Sequence, residues 1–292
     1  MNLPFHIVDV FAEEKLQGNQ LAVFRDEEGV SSDLMQKIAK EMNYSESTFI
    51  TAVDTVHHVY NVRIFTPESE LPFAGHPTLG TAYVIQQTII RQEVPSLTLD
   101  LHAGMIPVTF SYVDGEPGVL WMRQLNPVFG RIHPPEPIAE MIGLQPNDID
   151  PDYPIQEVST GVPFFMVPLR DGGALKRVKL DVEKLKGYTE DTEAKWPHMF
   201  CREPDDPGNH LKCRMITTFT EDPATGSANG CLAGYLVKHR YLDTDTIDVR
   251  VEQGAEVGRP SLIYLKAAEK SRDEIEVNVG GRCAMVAHGE LV

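Results

Sequence analysis

Apolar and polar residues alternate along much of the chain, but two stretches are apolar or tiny on every side. One, residues 221–237, reads EDPATGSANGCLAGYLV and carries no charge between Asp222 and Lys238. A turn holding Asp222, Pro223 and Gly226 opens it, and the uncharged run beyond that turn predicts an interior helix, because a surface helix would keep a polar face. Gly230 and Gly234 each cost a helix about 1 kcal/mol against Ala, so close packing against both is expected. The other stretch, 75–87, has the same make-up. Each predicted helix points unbonded N–H groups and the positive end of its dipole at the preceding turn, an arrangement that receives a carboxylate or phosphate.

Elsewhere the pattern predicts strands at 5–11, 18–24, 48–53 and 58–66. Between the second and third lies a surface helix, with Ser31 or Ser32 as N-cap and Asp33 in its first turn. Leu34, Ile38 and Met42 fall on one face, and Asn43 is the stop. Glu46 then sits where a loop enters a sheet.

The two interior helices belong to a repeat. Placing Arg214 on Arg63, an offset of 151 positions, also puts Thr217 on Thr66, Glu221 on Glu70, Pro223 on Pro72, Gly226 on Gly75 and Ala233 on Ala82. Downstream, the alternating stretch 97–110 broken by Gly104 answers 247–257 with Gly254. Upstream, 18–23 resembles 161–166. So long a period means two similar domains rather than a solenoid. The expected division is 1–125 and 126–282, with 283–292 completing the first and the proline-rich 126–137 as the crossing. Residues 181–209 read as an acidic, weakly patterned insertion without a place in the repeat.

A formal net charge of −17 argues against nucleic acid and anionic membrane as partners, since the chain has no basic patch in sequence. The 4 Cys are scattered, two of them inside apolar runs, and read as reduced thiols of a cytoplasmic protein. No basic segment opens a signal peptide, and no apolar run reaches membrane-spanning length.

Among residues able to do chemistry, Glu46 is either a solvated loop carboxylate or a catalytic one. Ser45, Ser47 and Thr48 beside it could hold the carboxylate, and the apolar run from Phe49 would desolvate it and raise its pKa. His76 follows Gly75 at a helix start, where it is a cap, a core filler, or a ring kept neutral by the dipole and able to bond substrate. Asp222 is a turn residue, yet its counterpart in the repeat is Leu71, and such asymmetry is where function enters. Ser227 is most simply an N-cap and would equally donate to an anion. No triad partner stands near it, no ligand spacing indicates a metal, and no glycine fingerprint indicates a dinucleotide.

The stretches GNQLAVF, YSESTFI, ELPFAGHPTLGTAYVI, GVPFF, EDPATGSANGCLAGYLV, QGAEVGRPS and VGGRCAMVAHGEL together resemble the PhzF family, related to phenazine biosynthesis, over nearly the whole chain. The resemblance implies an α+β, diaminopimelate epimerase-like fold: two pseudo-symmetric domains, each a rolled, mostly antiparallel sheet around a central helix, with the active site in the cleft between them, commonly as a homodimer. It implies that Glu46 matches the proton-transferring Glu, with His76 and Asp222 at the other catalytic positions, and that Asn19, Gly75, Gly226 and Ser227 bind substrate. Diaminopimelate epimerase carries thiols at two positions held here by Ala74 and Thr225, so a two-thiol racemisation is excluded.

The leading expectation is a cofactor-independent isomerase that shifts a proton on a small carboxylate-bearing metabolite through Glu46. The alternatives are an epimerase or racemase using Glu46 and Asp222 from opposite faces, and a non-catalytic binding or scaffold protein that keeps the cleft.

Overall fold

A helix with no polar face needs a sheet around it, and the computed structural model, which describes residues 2–26 and 29–292, holds two such assemblies. One unit comprises Met1–Met122 and Gly280–Val292, the other Arg123–Val279.

In the first unit, β1 (Leu3–Val10) and β2 (Asn19–Arg25) pair antiparallel, and β2 runs parallel to β3 (Glu46–Asp54). Parallel neighbours need a crossover, supplied here by α1 (Ser32–Met42). Ser31 caps α1 by accepting from the Leu34 N–H, and Asn43 ends it in the left-handed conformation at φ 54°. Its inner face is Met35, Ile38 and Ala39, with Leu34 and Met42 only partly buried beside them. These residues pack on Phe24, Phe49 and Phe65, on one face of the sheet.

The other face of that sheet covers the interior helix. β4 (Val59–Phe65) pairs with β3, with the two-residue β5 (Glu70–Leu71), and in parallel with a later strand, Ser96–Leu101. The interior helix α2 (Gly75–Ile85) is buried at every position except Tyr83. A Cβ on its Gly80 would lie 2.7 Å from Leu21 and from Val10, so only glycine lets β1 and β2 approach this closely. Beyond Ile85 the helix widens into a π-helical turn, Gln86–Ile90, closed by Arg91 at φ 58°. Ser96–Leu101 (β6) then pairs with β7 (Gly104–Val113), and β7 with β8 (Glu116–Arg123). The C-terminal strand Cys283–Leu291 pairs antiparallel with β1.

The second unit repeats this order. β9 (Val128–His133), β10 (Ile155–Ser159) and β11 (Pro163–Pro168) form an antiparallel run. β11 is parallel to β12 (Pro197–Cys201), which pairs antiparallel with β13 (Leu211–Ile216). β13 continues to β14 (Glu221–Asp222) and in parallel to β15 (Thr246–Gln253), which pairs with β16 (Ser261–Ser271). The interior helix, Gly226–Lys238, packs on β10, β11, β15 and β16.

The segment 181–209 is therefore no insertion. It holds β12, the counterpart of β3, and a seven-residue helix, Val182–Tyr188, that helps form the crossover from β11. All five residues of β12 are buried, so the strand carries no polar alternation for sequence reasoning to find.

The repeat extends to single hydrogen bonds. Arg63 grips Glu70 through Nε and Nη2 at 2.7 and 2.6 Å, and Arg214 grips Glu221 through the same atoms at 2.8 Å each. In the turn between partners, the Thr66 N–H donates to the Ser69 carbonyl at 2.8 Å and the Thr217 N–H to the Thr220 carbonyl at 2.8 Å. Close packing accounts for Gly234, where a Cβ would lie 2.6 Å from Pro127 Cγ.

Candidate active site

Glu46 opens β3, opposite Leu21 in the parallel register with β2. Side chains alternate along a strand, so Glu46 shares a face with Thr48 while Ser47 and Phe49 point to the other. This corrects the reading of its surroundings. Thr48 is spent on Thr81 of α2, with the two hydroxyl oxygens 2.8 Å apart, and Phe49 stacks on Phe24 at 4.9 Å in the α1 core. Burial of Glu46, whose side chain is 17% exposed, comes instead from the side of α2.

There the second residue of the helix, His76, brings Nε2 to 3.4 Å from Glu46 Oε2. The ring is wholly buried, which pushes its pKa from 6.5 down to about 3, against a smaller opposing effect from a hydrogen bond with the Gln20 backbone. Neutrality was expected, but desolvation is its main cause. The contact is thus a long one between a carboxyl group and an uncharged imidazole, not an ion pair. Asn19, 2% exposed, opens β2 two residues before Leu21. Gly75 is the first residue of α2, and Ala74 occupies its N-cap without a side-chain bond. The first turn has no acidic residue, so nothing in it offsets the positive end of the helix.

The second unit builds a different polar group on the same frame. Its interior helix, Gly226–Lys238, again starts at a buried glycine, with no side-chain cap bond and no acid in the first turn. Thr225 is the N-cap and Ser227 the second helical residue, half-buried, which corrects the reading of Ser227 as cap. Ala74 and Thr225, at the thiol positions, are thus the two N-caps. Thr225 turns its hydroxyl outward from the helix and donates to Asp222 Oδ2 at 2.7 Å.

Behind this pair stands Gln253, 1% exposed, which sequence reasoning did not single out. Its Nε2 donates to the Asp222 carbonyl at 2.8 Å and to Thr225 Oγ1 at 3.0 Å. Its Oε1 accepts from the Thr225 N–H at 3.2 Å and from Asn229 Nδ2 at 3.0 Å. The signal available in sequence was Gly254: at φ 82°, with a Cβ position 2.4 Å from the Pro223 carbonyl oxygen, it lets the end of β15 press against the 222–225 turn.

Register identifies how the two halves differ. Thr48 pairs with Ile64 and His198 with Met215, and Met215 is the counterpart of Ile64 at offset 151. His198 therefore stands where Thr48 does, and Trp196 where Glu46 does. The Glu46 carboxylate exists in one copy only, and so does Asp222, whose counterpart is Leu71. His76 and Ser227 are counterparts of each other. Among the described residues, no group of three His, Cys, Asp or Glu side chains is placed to hold a metal ion.

Comparison with known proteins agrees with this construction. A sequence profile of the PhzC-PhzF family, described as phenazine biosynthesis-like protein, matches residues 8–289. The trans-2,3-dihydro-3-hydroxyanthranilate isomerase of Pseudomonas aeruginosa is 33% identical over 286 residues, covering 97% of this chain and 97% of that protein. Among solved structures, a PhzF family phenazine biosynthesis protein of Bacillus anthracis matches with a TM-score of 0.90 at 26% identity, covering 100% of this chain and 99% of that one. A probable proline racemase from Agrobacterium radiobacter K84, at 12% identity and a TM-score of 0.64, covers 99% of this chain and 93% of its own and shares the fold alone. The architecture is the α+β, diaminopimelate epimerase-like fold.

Proposed function

The chain belongs to the PhzC-PhzF family and is an isomerase of the PhzF kind, and we propose that it works without a cofactor, shifting a proton on a small carboxylic acid through Glu46. The observation that carries this reading is the Glu46–His76 pair. A carboxylate beside an imidazolium would be held in its ionised form and lose basicity. The uncharged ring of His76 does not hold it so, and in this proposal Glu46 takes a proton from carbon and returns it. The repeat supplies no second carboxylate at the position of Glu46, since Trp196 stands there, and one group that both removes and returns a proton transposes a double bond instead of inverting a centre.

The negative charge that develops on the substrate during proton removal needs preorganised donors. The starts of the two interior helices, uncapped by side chains and without acidic first turns, have the character required. In this proposal His76 and Asp222 orient polar groups of the substrate, Asp222 being aimed by Thr225. Asn19, Gly75, Gly226 and Ser227 complete the binding set. A ring-bearing hydroxyanthranilate is the first substrate to try, because a relative with 33% identity acts on one by name.

The test is turnover of trans-2,3-dihydro-3-hydroxyanthranilate, or of another unsaturated small acid found by panel screening, in deuterium oxide. Positioned acid/base groups contribute about 10²- to 10⁴-fold, so Glu46→Gln is expected to lose at least about a hundredfold in kcat. Retention of more than about a tenth of the wild-type rate removes Glu46 from the mechanism. Configurational inversion with exchange at a single carbon would instead select the epimerase reading with Glu46 and Asp222. Binding without turnover across the panel would select the scaffold reading.

A further inference from the structure

A cavity of about 540 Å³ opens in the first unit at the opposite end of α2 from Glu46 and His76. Gly75 and Thr88 are 13 residues apart, roughly 20 Å of helix, so the cavity is separate from the candidate active site. Its walls are apolar where Val23, Ile50, Val84 and Ile89 line it, and basic where His6, Arg25 and Arg91 do. Among the described residues that line it, none is Asp or Glu. In a chain with 43 acidic against 26 basic residues, two arginines and a histidine among the described lining residues depart from the surrounding composition.

Two features of the backbone make the cavity. The π-helical turn Gln86–Ile90 widens the end of the helix and puts Gln87, Thr88 and Ile89 on the wall. Such turns recur at functional sites because the extra residue in the turn costs stability and persists when it shapes something. Arg91 then leaves the helix in the left-handed conformation. Its own N–H donates to the Gln86 carbonyl at 2.8 Å and its Nε to the Thr88 carbonyl at 2.8 Å. Both bonds occupy carbonyls at the negative end of the helix, which would otherwise repel an anion, and they fix the guanidinium at the cavity rim.

We propose that this cavity is a second ligand site, distinct from the candidate active site, that takes a small carboxylate with a compact apolar body, such as an aromatic acid. The guanidinium of Arg91 receives the carboxylate, with Arg25 supplying further positive charge and His6 able to gain a proton on binding, and Val23, Ile50, Val84 and Ile89 receive the body. A volume of this size is within the usual range for small-molecule sites, about 300 to 1,000 Å³. Burial, His288 and Arg25 all lower the pKa of His6, so an anion seated here would raise it and binding would take up protons as pH falls. The inference does not rest on the catalytic role of Glu46.

The probe is sodium benzoate, with benzamide as its neutral isostere, titrated calorimetrically into the wild-type protein and into Glu46→Gln, Arg91→Gln and His6→Gln. Expected are benzoate binding that survives Glu46→Gln and weakens about tenfold or more in Arg91→Gln, benzamide weaker by a similar factor, and a His6 imidazole pKa, followed by NMR, that rises on saturation. Arg91 is exposed, so its replacement leaves the fold intact, and matched thermal midpoints check this. The proposal is overturned by any of three results: no benzoate binding that depends on Arg91, equal binding of benzamide, or a dimer in light scattering that Arg91→Gln dissociates, which would make the cavity part of a subunit interface.

Discussion

His76 Nε2 stands 3.4 Å from Glu46 Oε2, and the imidazole of that pair is uncharged. A residue at the second position of an interior helix and one at the mouth of a parallel strand pair are thus joined across 30 positions of sequence. The burial that removes the charge of one makes the contact a carboxyl–imidazole pair and not an ion pair.

That burial has a cost on acidification. His76 and His198 are each wholly buried with pKa values lowered to about 3 from 6.5, so the unfolded chain binds protons between pH 6.5 and 3 that the folded chain refuses. Stability is therefore full above pH 6.5 and falls as pH drops through that window. Each histidine accounts for about 2 kcal/mol of loss by pH 5. Urea unfolding at pH 7.5 and pH 5 measures it. Neither ring nitrogen of His198 has a hydrogen-bond partner among the described residues, so His198→Leu is expected to remove its share of the pH dependence without costing a bond.

The paired arginine grips differ in burial and so in worth. Arg214 and Glu221 have side chains 9% and 12% exposed, and Arg214 Nη1 also donates to the Leu175 carbonyl at 2.9 Å. Arg214→Met strands a buried carboxylate and is expected to cost about 3 to 5 kcal/mol in urea unfolding. Arg63 and Glu70, at 23% and 26%, are wetter, and Arg63→Met is expected to cost about 1 kcal/mol. Equal losses would show that the two turns are braced by something other than these pairs.

Two glycines in helices should respond in opposite directions to alanine. At Gly234 the new methyl meets Pro127 at 2.6 Å, and overpacking of about 1 to 3 kcal/mol outweighs the gain of about 1 kcal/mol in helix propensity. At Gly187, inside Val182–Tyr188, nothing lies within 4 Å, and alanine should raise stability by up to about 1 kcal/mol. Thermal midpoints of the two variants decide the matter.

Thr225→Val keeps the shape of the N-cap residue and deletes the donor to Asp222. If Asp222 orients substrate, kcat/KM falls about tenfold or more, alongside a lowered unfolding midpoint from the acceptor that the buried Gln253 Nε2 also loses. A fall in stability with unchanged kinetics would assign the bond to the turn alone. Asp222→Asn is the companion variant, expected to lower kcat/KM at least as much.

How much of this was legible in the sequence depends on the range of the property. The Arg63–Glu70 and Arg214–Glu221 turns, the two helices without a polar face and the cap residues of α1 were all visible, because spacing along a few residues determines them. β12 was not, since a strand buried on both sides shows no period. Nor was Gln253, whose partners lie 24 to 40 positions away in the chain.

The order of amino acids by itself thus determined that the chain contains one plan twice, and that each copy surrounds an interior helix. Those are consequences of local periodicity and of composition that no contact can alter. Tertiary structure alone decided that Trp196 stands at the position of Glu46, that Thr225 and Gln253 hold Asp222, that His76 loses its charge mainly by burial, and that the far end of α2 opens into a basic cavity. Each of these depends on which side chains distant strands bring within a few ångströms, and on how much water they exclude.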